Sequence, residues 1–304
     1  MLRPESLAPG AVYETVRANG IDFEVLCAGS GDRLALCLHG FPEHAISWRH
    51  QFPVLVRLGY RVWAPNQRGY GRTTRPRRVE EYAITDLMAD VAALIDAAGA
   101  RSVTLIGHDW GAAVAWFFAM RAVRPVERLV IVNVPHPALF LASLRNSWRQ
   151  RARSWYAAFF QIPWLPERLL GLNDALAIAQ MFSRSSCDPS RFPEAVIRLY
   201  REQAAEPGAL AAMLAWYRAA ARGGLKAEVR QGFPVIEVPT LMLWGERDTA
   251  LGKETTYGTE RYVRHLELHY LPGVSHCAQQ EAPQQTNAYL EAFLAGNGAS
   301  GAWP

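Results

Sequence analysis

Ser102-Val103-Thr104-Leu105-Ile106-Gly107-His108-Asp109-Trp110-Gly111-Ala112-Ala113-Val114 is the stretch on which the reading of this chain turns. Residues 102–106 are a short apolar run of β-strand type, and residues 112–120 are rich in helix formers. Between them stands small–x–nucleophile–x–small, the pattern of a strand-to-helix elbow that raises its central side chain at the carboxyl end of the strand. Glycines at 107 and 111 are required because the turn is too tight for a Cβ on either side. The central residue is an aspartate. The helix N-terminus beneath it favours negative charge, so Asp109 is expected to stay ionised.

A carboxylate nucleophile restricts the chemistry. Attack on an acyl carbon would give an anhydride, which is no easier to handle. Displacement at a saturated carbon gives an ordinary ester that water can then cleave. The substrate is therefore expected to carry a leaving group on sp3 carbon, either an epoxide oxygen or a halide.

Working outward, alternating stretches at 12–16 and 22–27, split by Asn19-Gly20, read as an antiparallel hairpin. Apolar strand-like runs follow at 34–38 and 61–64, a helical period at 84–97, the elbow, and another strand at 129–132. Strands alternating with helices predict an α/β fold, a mostly parallel sheet with helices on both faces. From Pro135-His136-Pro137 to about Gly232 no strand is convincing and aromatics are dense. This predicts a helical cap inserted after the sixth strand, spanning 136–232, with 1–135 and 233–304 forming the core. Strand signals return at 240–244 and 266–270, and a helix carrying Leu290, Phe293 and Leu294 closes the chain.

The 304 residues and 50% hydrophobic content suit one large domain with an insertion. The net charge of +4 raises nucleic acid as a partner. Lys226 and Lys253 are the only lysines, and the arginine clusters at 68–78 and 145–153 lack a nucleic-acid motif. They read as a solvated arginine-rich surface, and no nucleic-acid partner is expected. Cys27, Cys37, Cys187 and Cys277 have no metal-ligand spacing, and a reduced compartment fits; displacement by a carboxylate followed by hydrolysis needs neither metal nor organic cofactor. The N-terminus lacks an apolar signal core, and no run approaches the roughly 20 apolar residues of a membrane helix. The expectation is a soluble, cytoplasmic protein without a membrane partner. The sequence is silent on oligomeric state.

Carboxyl ends of parallel strands are where such sheets place their sites. His276 follows the last strand and Asp248 follows the strand at 240–244. With Asp109 they stand in the chain order nucleophile, acid, histidine. His276 is expected to act as base and Asp248 to orient it, with Glu246 the competing acid. The alternative acid position after the strand at 129–132 carries Asn133, which cannot supply the charge. His39-Gly40-Phe41-Pro42 ends the third strand, where the backbone N–H groups of Phe41 and Trp110 would form an oxyanion hole.

The blocks HGFPE at 39–43, SWRHQ at 47–51, RGYG at 68–71, GHDWG at 107–111 and GVSH at 273–276 resemble the α/β-hydrolase superfamily in its epoxide hydrolase branch, over nearly the whole chain. GHDWG is shared with haloalkane dehalogenases. Within the resemblance, Tyr-x-x-Phe-Phe-Gln at 156–161 and Trp-Tyr-Arg at 216–218 match the segments carrying that branch's two lid tyrosines. The resemblance therefore implies that Tyr156 and Tyr217 protonate the departing epoxide oxygen, with a small apolar epoxide and water as partners and a vicinal diol as product. It also implies a cis peptide at Phe41-Pro42, and a pocket lined by His39, Phe41, Pro42, Trp110, Trp155 and Phe160. Asn66 and Cys277 stand where close relatives would be expected to carry aspartate and an aromatic. Two other readings remain: a haloalkane dehalogenase, for which Phe41 lacks the side-chain donor of the asparagine type, and a non-catalytic ligand-binding protein of the same fold.

Overall fold

The structure, a computed structural model, describes residues 7–296. Eight strands form one mixed sheet in the order β1-β2-β4-β3-β5-β6-β7-β8. β1 (Val12–Ala18) and β2 (Ile21–Ala28) make the expected hairpin, with Asn19 and Gly20 at φ 48° and 72°, the paired positive values of a tight hairpin turn. β2 also runs antiparallel to β4 (Tyr60–Pro65), and every further pairing is parallel, through β3 (Arg33–Leu38), β5 (Ser102–His108), β6 (Arg128–Val132), β7 (Thr240–Gly245) and β8 (Leu266–Leu271). The central strands are buried almost throughout, which is why they read as continuous apolar runs rather than alternating ones. Their cover begins with helices α1 (Phe52–Arg57), α2 (Ile84–Ala98) and α3 (Trp110–Met120).

Between β6 and β7 the described chain contains only helices and loops until an isolated bridge at Ile236. These helices are α4 (Pro137–Asn146), α5 (Trp148–Arg153), α6 (Trp155–Phe159), α7 (Leu165–Leu170), α8 (Leu172–Ser185), α9 (Glu194–Ala205), α10 (Ala209–Ala219) and α11 (Lys226–Arg230). Pro137 fills the first position of α4, and His136 accepts from the Ala138 N–H, so the insertion starts on a capped helix directly above the sheet. α12 (Ala278–Glu281) and α13 (Pro283–Leu294) follow β8.

One arginine of the supposed surface clusters is not solvated. Arg68 is buried and grips Asp90 with two hydrogen bonds of 2.7 and 2.6 Å. Asp90 lies on the buried face of α2, so this arginine ties the loop after β4 to that helix. A guanidinium enters a protein interior when a carboxylate meets both of its arms. No helix among the described residues is long and apolar enough to cross a membrane.

Candidate active site

Asp109 sits at the junction of β5 and α3 with φ 48° and ψ −122°, a conformation an L-residue adopts only under constraint. The neighbouring glycines show the constraint. A Cβ at Gly107 would come within 2.6 Å of the Ala112 Cα, and one at Gly111 within 2.6 Å of the His39 carbonyl oxygen. A Cβ at Gly40 would run into the Asp109 side chain itself. Three chain segments thus close on one carboxylate. The Phe41 N–H donates to Asp109 Oδ1 at 2.7 Å, next to a Phe41–Pro42 bond that is cis. Trp110 is the first residue of α3, so its N–H is one of the helix's free donors on the same side.

Asp109 Oδ2 faces His276 Nε2 at 3.5 Å, and His276 Nδ1 lies 2.6 Å from Asp248 Oδ2. Asp248 is buried and saturated with donors. Oδ1 accepts from the N–H groups of Ala250 and Leu251 at 2.8 and 2.9 Å, and Oδ2 accepts from Asn133 Nδ2 at 3.0 Å as well as from His276. Burial alone would raise the Asp248 carboxyl. The His276 charge and these donors outweigh it and hold the group below its ordinary range. Asp109 is lowered for the same reason, with the His276 hydrogen bond overcoming desolvation. His276 moves the opposite way: burial would lower it, but Asp248 and Asp109 together raise it well above an ordinary histidine. Glu246, the competing acid, pairs with Lys253.

Asn133 was set aside in the sequence as unable to carry charge. Besides donating to Asp248, its Oδ1 accepts from the Gly245 N–H at 3.0 Å, so it fastens β7 beneath the acid. A further pair lies inside the HGFPE and GHDWG blocks, but nothing in either block signals that the two residues meet. Glu43 Oε2 meets His108 Nδ1 at 2.8 Å, both fully buried, and His108 Nε2 donates to the His276 carbonyl at 2.9 Å. Both partners of that ring present oxygen to it. Glu43 also accepts from the Gly40 N–H and from the amides of Gln279 and Gln280. The pair therefore links the loop after β3, the elbow and the His276 loop behind the site.

The insertion closes the other side. Tyr156 of α6 and Tyr217 of α10 have ring centroids 6.0 Å apart, and Tyr217 stands edge-on to Trp110 at 5.1 Å and to Phe41 at 5.4 Å. Both phenols are raised above their ordinary values, first by burial and then by the Asp109 charge, so both keep their protons. Two cavities meet at Asp109, Tyr156 and Tyr217. One, of about 500 Å³, runs between Trp110, Phe140, Leu144 and Leu225. The other, of about 440 Å³, runs past Phe41, Pro42, Phe160, His276 and Cys277 to Trp155. Of the expected lining residues, His39 is absent from both cavities. It is fully buried, its Nε2 accepts from the Gln67 N–H at 3.1 Å, and its ring packs against Tyr70. The side chain at the end of β3 is spent on holding the loop after β4.

This arrangement can do three things. A half-buried, unprotonated carboxylate can attack, two protonated phenols line the same cavities, and a histidine paired to a second carboxylate can take a proton from water.

The α/β-hydrolase fold family model matches residues 36–283. The AB hydrolase superfamily protein YfhM of Bacillus subtilis (strain 168) is 36% identical over 287 residues, covering 94% of this chain and 98% of that protein. Epoxide hydrolase 4 of Mus musculus is 34% identical over 93% of this chain and 79% of its own length. Among solved structures, a mutant epoxide hydrolase from Bacillus megaterium, complexed with its product (R)-3-[1]naphthyloxy-propane-1,2-diol, superimposes with a TM-score of 0.83. It is 28% identical and covers 93% of this chain and 100% of that one.

Proposed function

Because the chain belongs to the α/β-hydrolase fold family and carries an aspartate at the elbow, we propose that it is an epoxide hydrolase working through a covalent aspartyl ester. One observation supports the reading above all: two protonated tyrosines and the elbow carboxylate line both cavities together. A halide leaves without a proton, whereas an alkoxide leaving a ring carbon needs one. The relatives named epoxide hydrolases support the same class.

In the proposed cycle Asp109 Oδ2 attacks one ring carbon while Oδ1 stays on the Phe41 N–H. The ring C–O bond breaks, and Tyr156 and Tyr217 protonate its oxygen. The resulting hydroxyalkyl ester no longer carries the Asp109 charge. That charge is one of the influences raising His276, so ester formation moves the histidine toward the neutral form that a base requires. Held by Asp248, His276 then takes a proton from water, which attacks the Asp109 carbonyl carbon. The N–H groups of Phe41 and Trp110 hold the oxyanion. A vicinal diol leaves, and the proton taken from water makes good the one the tyrosines gave. In this reading the segment 136–232 is a cap domain that carries the acid side of the site, and the substrate is a small apolar epoxide.

The test is isotopic. In one turnover with enzyme in excess in ¹⁸O water, the diol should carry ordinary oxygen and the label should enter the Asp109 carboxylate. Labelled diol in that first turnover would mean direct attack by water and would end the covalent reading.

A further inference from the structure

The insertion keeps much of its apolar surface outward. Among the described residues eleven large hydrophobic side chains are exposed, and seven of them fall between residues 148 and 176. Trp148, Trp155 and Trp164 lead them at 69%, 64% and 67% exposure. Large apolar side chains left exposed along one segment point to an interaction site. In α5 and α6 the usual orientation of a surface helix is inverted. Ser154 joins the two helices with near-helical backbone, φ −87° and ψ 14°, so Trp148 and Trp155, seven residues apart, project from one side. Gln150 points the other way and is fully buried. Its amide donates to the Ala250 carbonyl at 2.9 Å and accepts from the Gly252 N–H at 3.0 Å. A glutamine anchors this unit, and two tryptophans form its outer face.

The same segment concentrates the charge. Residues 137–186 carry Arg145, Arg149, Arg151, Arg153, Arg168 and Arg184 against Glu167 and Asp174. That excess equals the +4 of the whole chain, so the remainder balances. Glu167 is turned inward to Arg218 at 2.5 Å. The Arg149 guanidinium lies 5.9 Å from the centre of the Trp148 ring, placing a cation on the edge of the apolar face.

We propose that this face of the insertion docks on an anionic lipid surface, with the tryptophans in the headgroup–acyl boundary and the arginines against lipid phosphates. Charge favours lipid over a second copy of the chain, because a two-fold contact across this face would set arginine against arginine. The cavities favour it too. Trp155 and Arg184 border the 440 Å³ cavity, so that arm of the site opens on the docking face and an apolar substrate could pass directly from lipid. A membrane partner was not expected from the sequence because no segment spans a bilayer; surface docking needs none. Docking rests on the exposed face and the cavity that opens beside it, and does not depend on the epoxide reading.

The experiment is co-sedimentation of the full chain with vesicles of phosphatidylcholine alone and of phosphatidylcholine mixed with phosphatidylglycerol. Binding is expected to the mixed vesicles and is expected to fade as salt rises. R145Q/R149Q should weaken it about 25-fold, at about 1 kcal/mol per arginine near the surface. W148S/W164S should weaken it roughly tenfold by removing apolar burial. All four side chains are exposed and outside both cavities, so thermal midpoint and turnover of a water-soluble epoxide should match the parent. Failure to bind anionic vesicles at low salt, or variants that bind like the parent, would overturn the proposal. So would a dimer in analytical ultracentrifugation that W148S/W164S dissolves while vesicles go unbound, which would assign the face to self-association.

Discussion

The sheet side and the insertion side of the site are held in place by different means. On the sheet side the backbone does the positioning. Asp109 is fixed by a constrained φ, by glycines that cannot accept a Cβ, and by a main-chain donor on Oδ1. On the insertion side, side chains do it. Tyr156 and Tyr217 arrive on helices of five and eleven residues, tied together by Arg218, which donates to the Phe160 and Ile162 carbonyls at 2.9 Å and pairs with Glu167. The elbow carboxylate is thus placed by the fold itself, and the two tyrosines by a few polar contacts within the insertion.

Five measurements would break or sharpen that contrast. The largest effect should come from the sheet side. Asp109→Ala should lower turnover on the order of 10⁴-fold or more with the fold intact, as loss of a central member of a catalytic triad does. His276→Gln should instead accumulate an adduct of intact epoxide mass on the peptide holding Asp109, read by mass spectrometry. An adduct elsewhere would remove the elbow from the chemistry.

Replacing both tyrosines by phenylalanine should slow ester formation roughly 10²–10⁴-fold while ester hydrolysis changes much less, because in the proposed cycle the phenols serve the leaving oxygen and not the water. Rapid-quench measurement of the two steps separates them. Alkylation at the parent rate would reduce Tyr156 and Tyr217 to packing residues.

Arg218→Ala should cost about 3 kcal/mol of stability, since it leaves Glu167 and two carbonyls without their partner. By loosening both tyrosines at once it should also slow alkylation more than hydrolysis. Equal slowing of both steps would show that the insertion is held by other contacts.

The smallest effect concerns pH. His276 is raised, so its contribution to stability is fully present below the pKa of an unfolded histidine and is lost as pH rises through the folded value. Asp109 and Asp248 are lowered, so theirs is present above the ordinary carboxylate range and is lost as pH falls through their folded values. The thermal midpoint should decline at both ends, and His276→Gln should flatten the alkaline decline. An unchanged alkaline limb in that variant would mean that the triad charges do not couple to folding.

The strands, the insertion point and the elbow were legible because each leaves a local mark: an apolar run, a change of period, two glycines around an aspartate. Glu43 and His108 lie inside the HGFPE and GHDWG blocks, but nothing local pairs them, since they stand 65 positions apart. Asn133 carries no charge, and the two hydrogen bonds it makes across to the β7 loop depend on the pairing of β6 with β7, which its own position does not reveal. His39 was misplaced because the end of a strand predicts nearness to the site and not which way a ring turns. Arg68 looked solvated because its partner, Asp90, lies on another element.

By itself the sequence determined the fold class, the position of the insertion and the chemical type of the group at the elbow. These depend on backbone requirements and periodicities that act over a few residues. Only the tertiary structure decided which carboxylate faces His276, how two tyrosines from separate helices come within 6.0 Å, and that the insertion turns tryptophans outward. Those outcomes depend on packing between distant elements, where burial and the need to satisfy every buried polar group select among arrangements that local sequence leaves equally open.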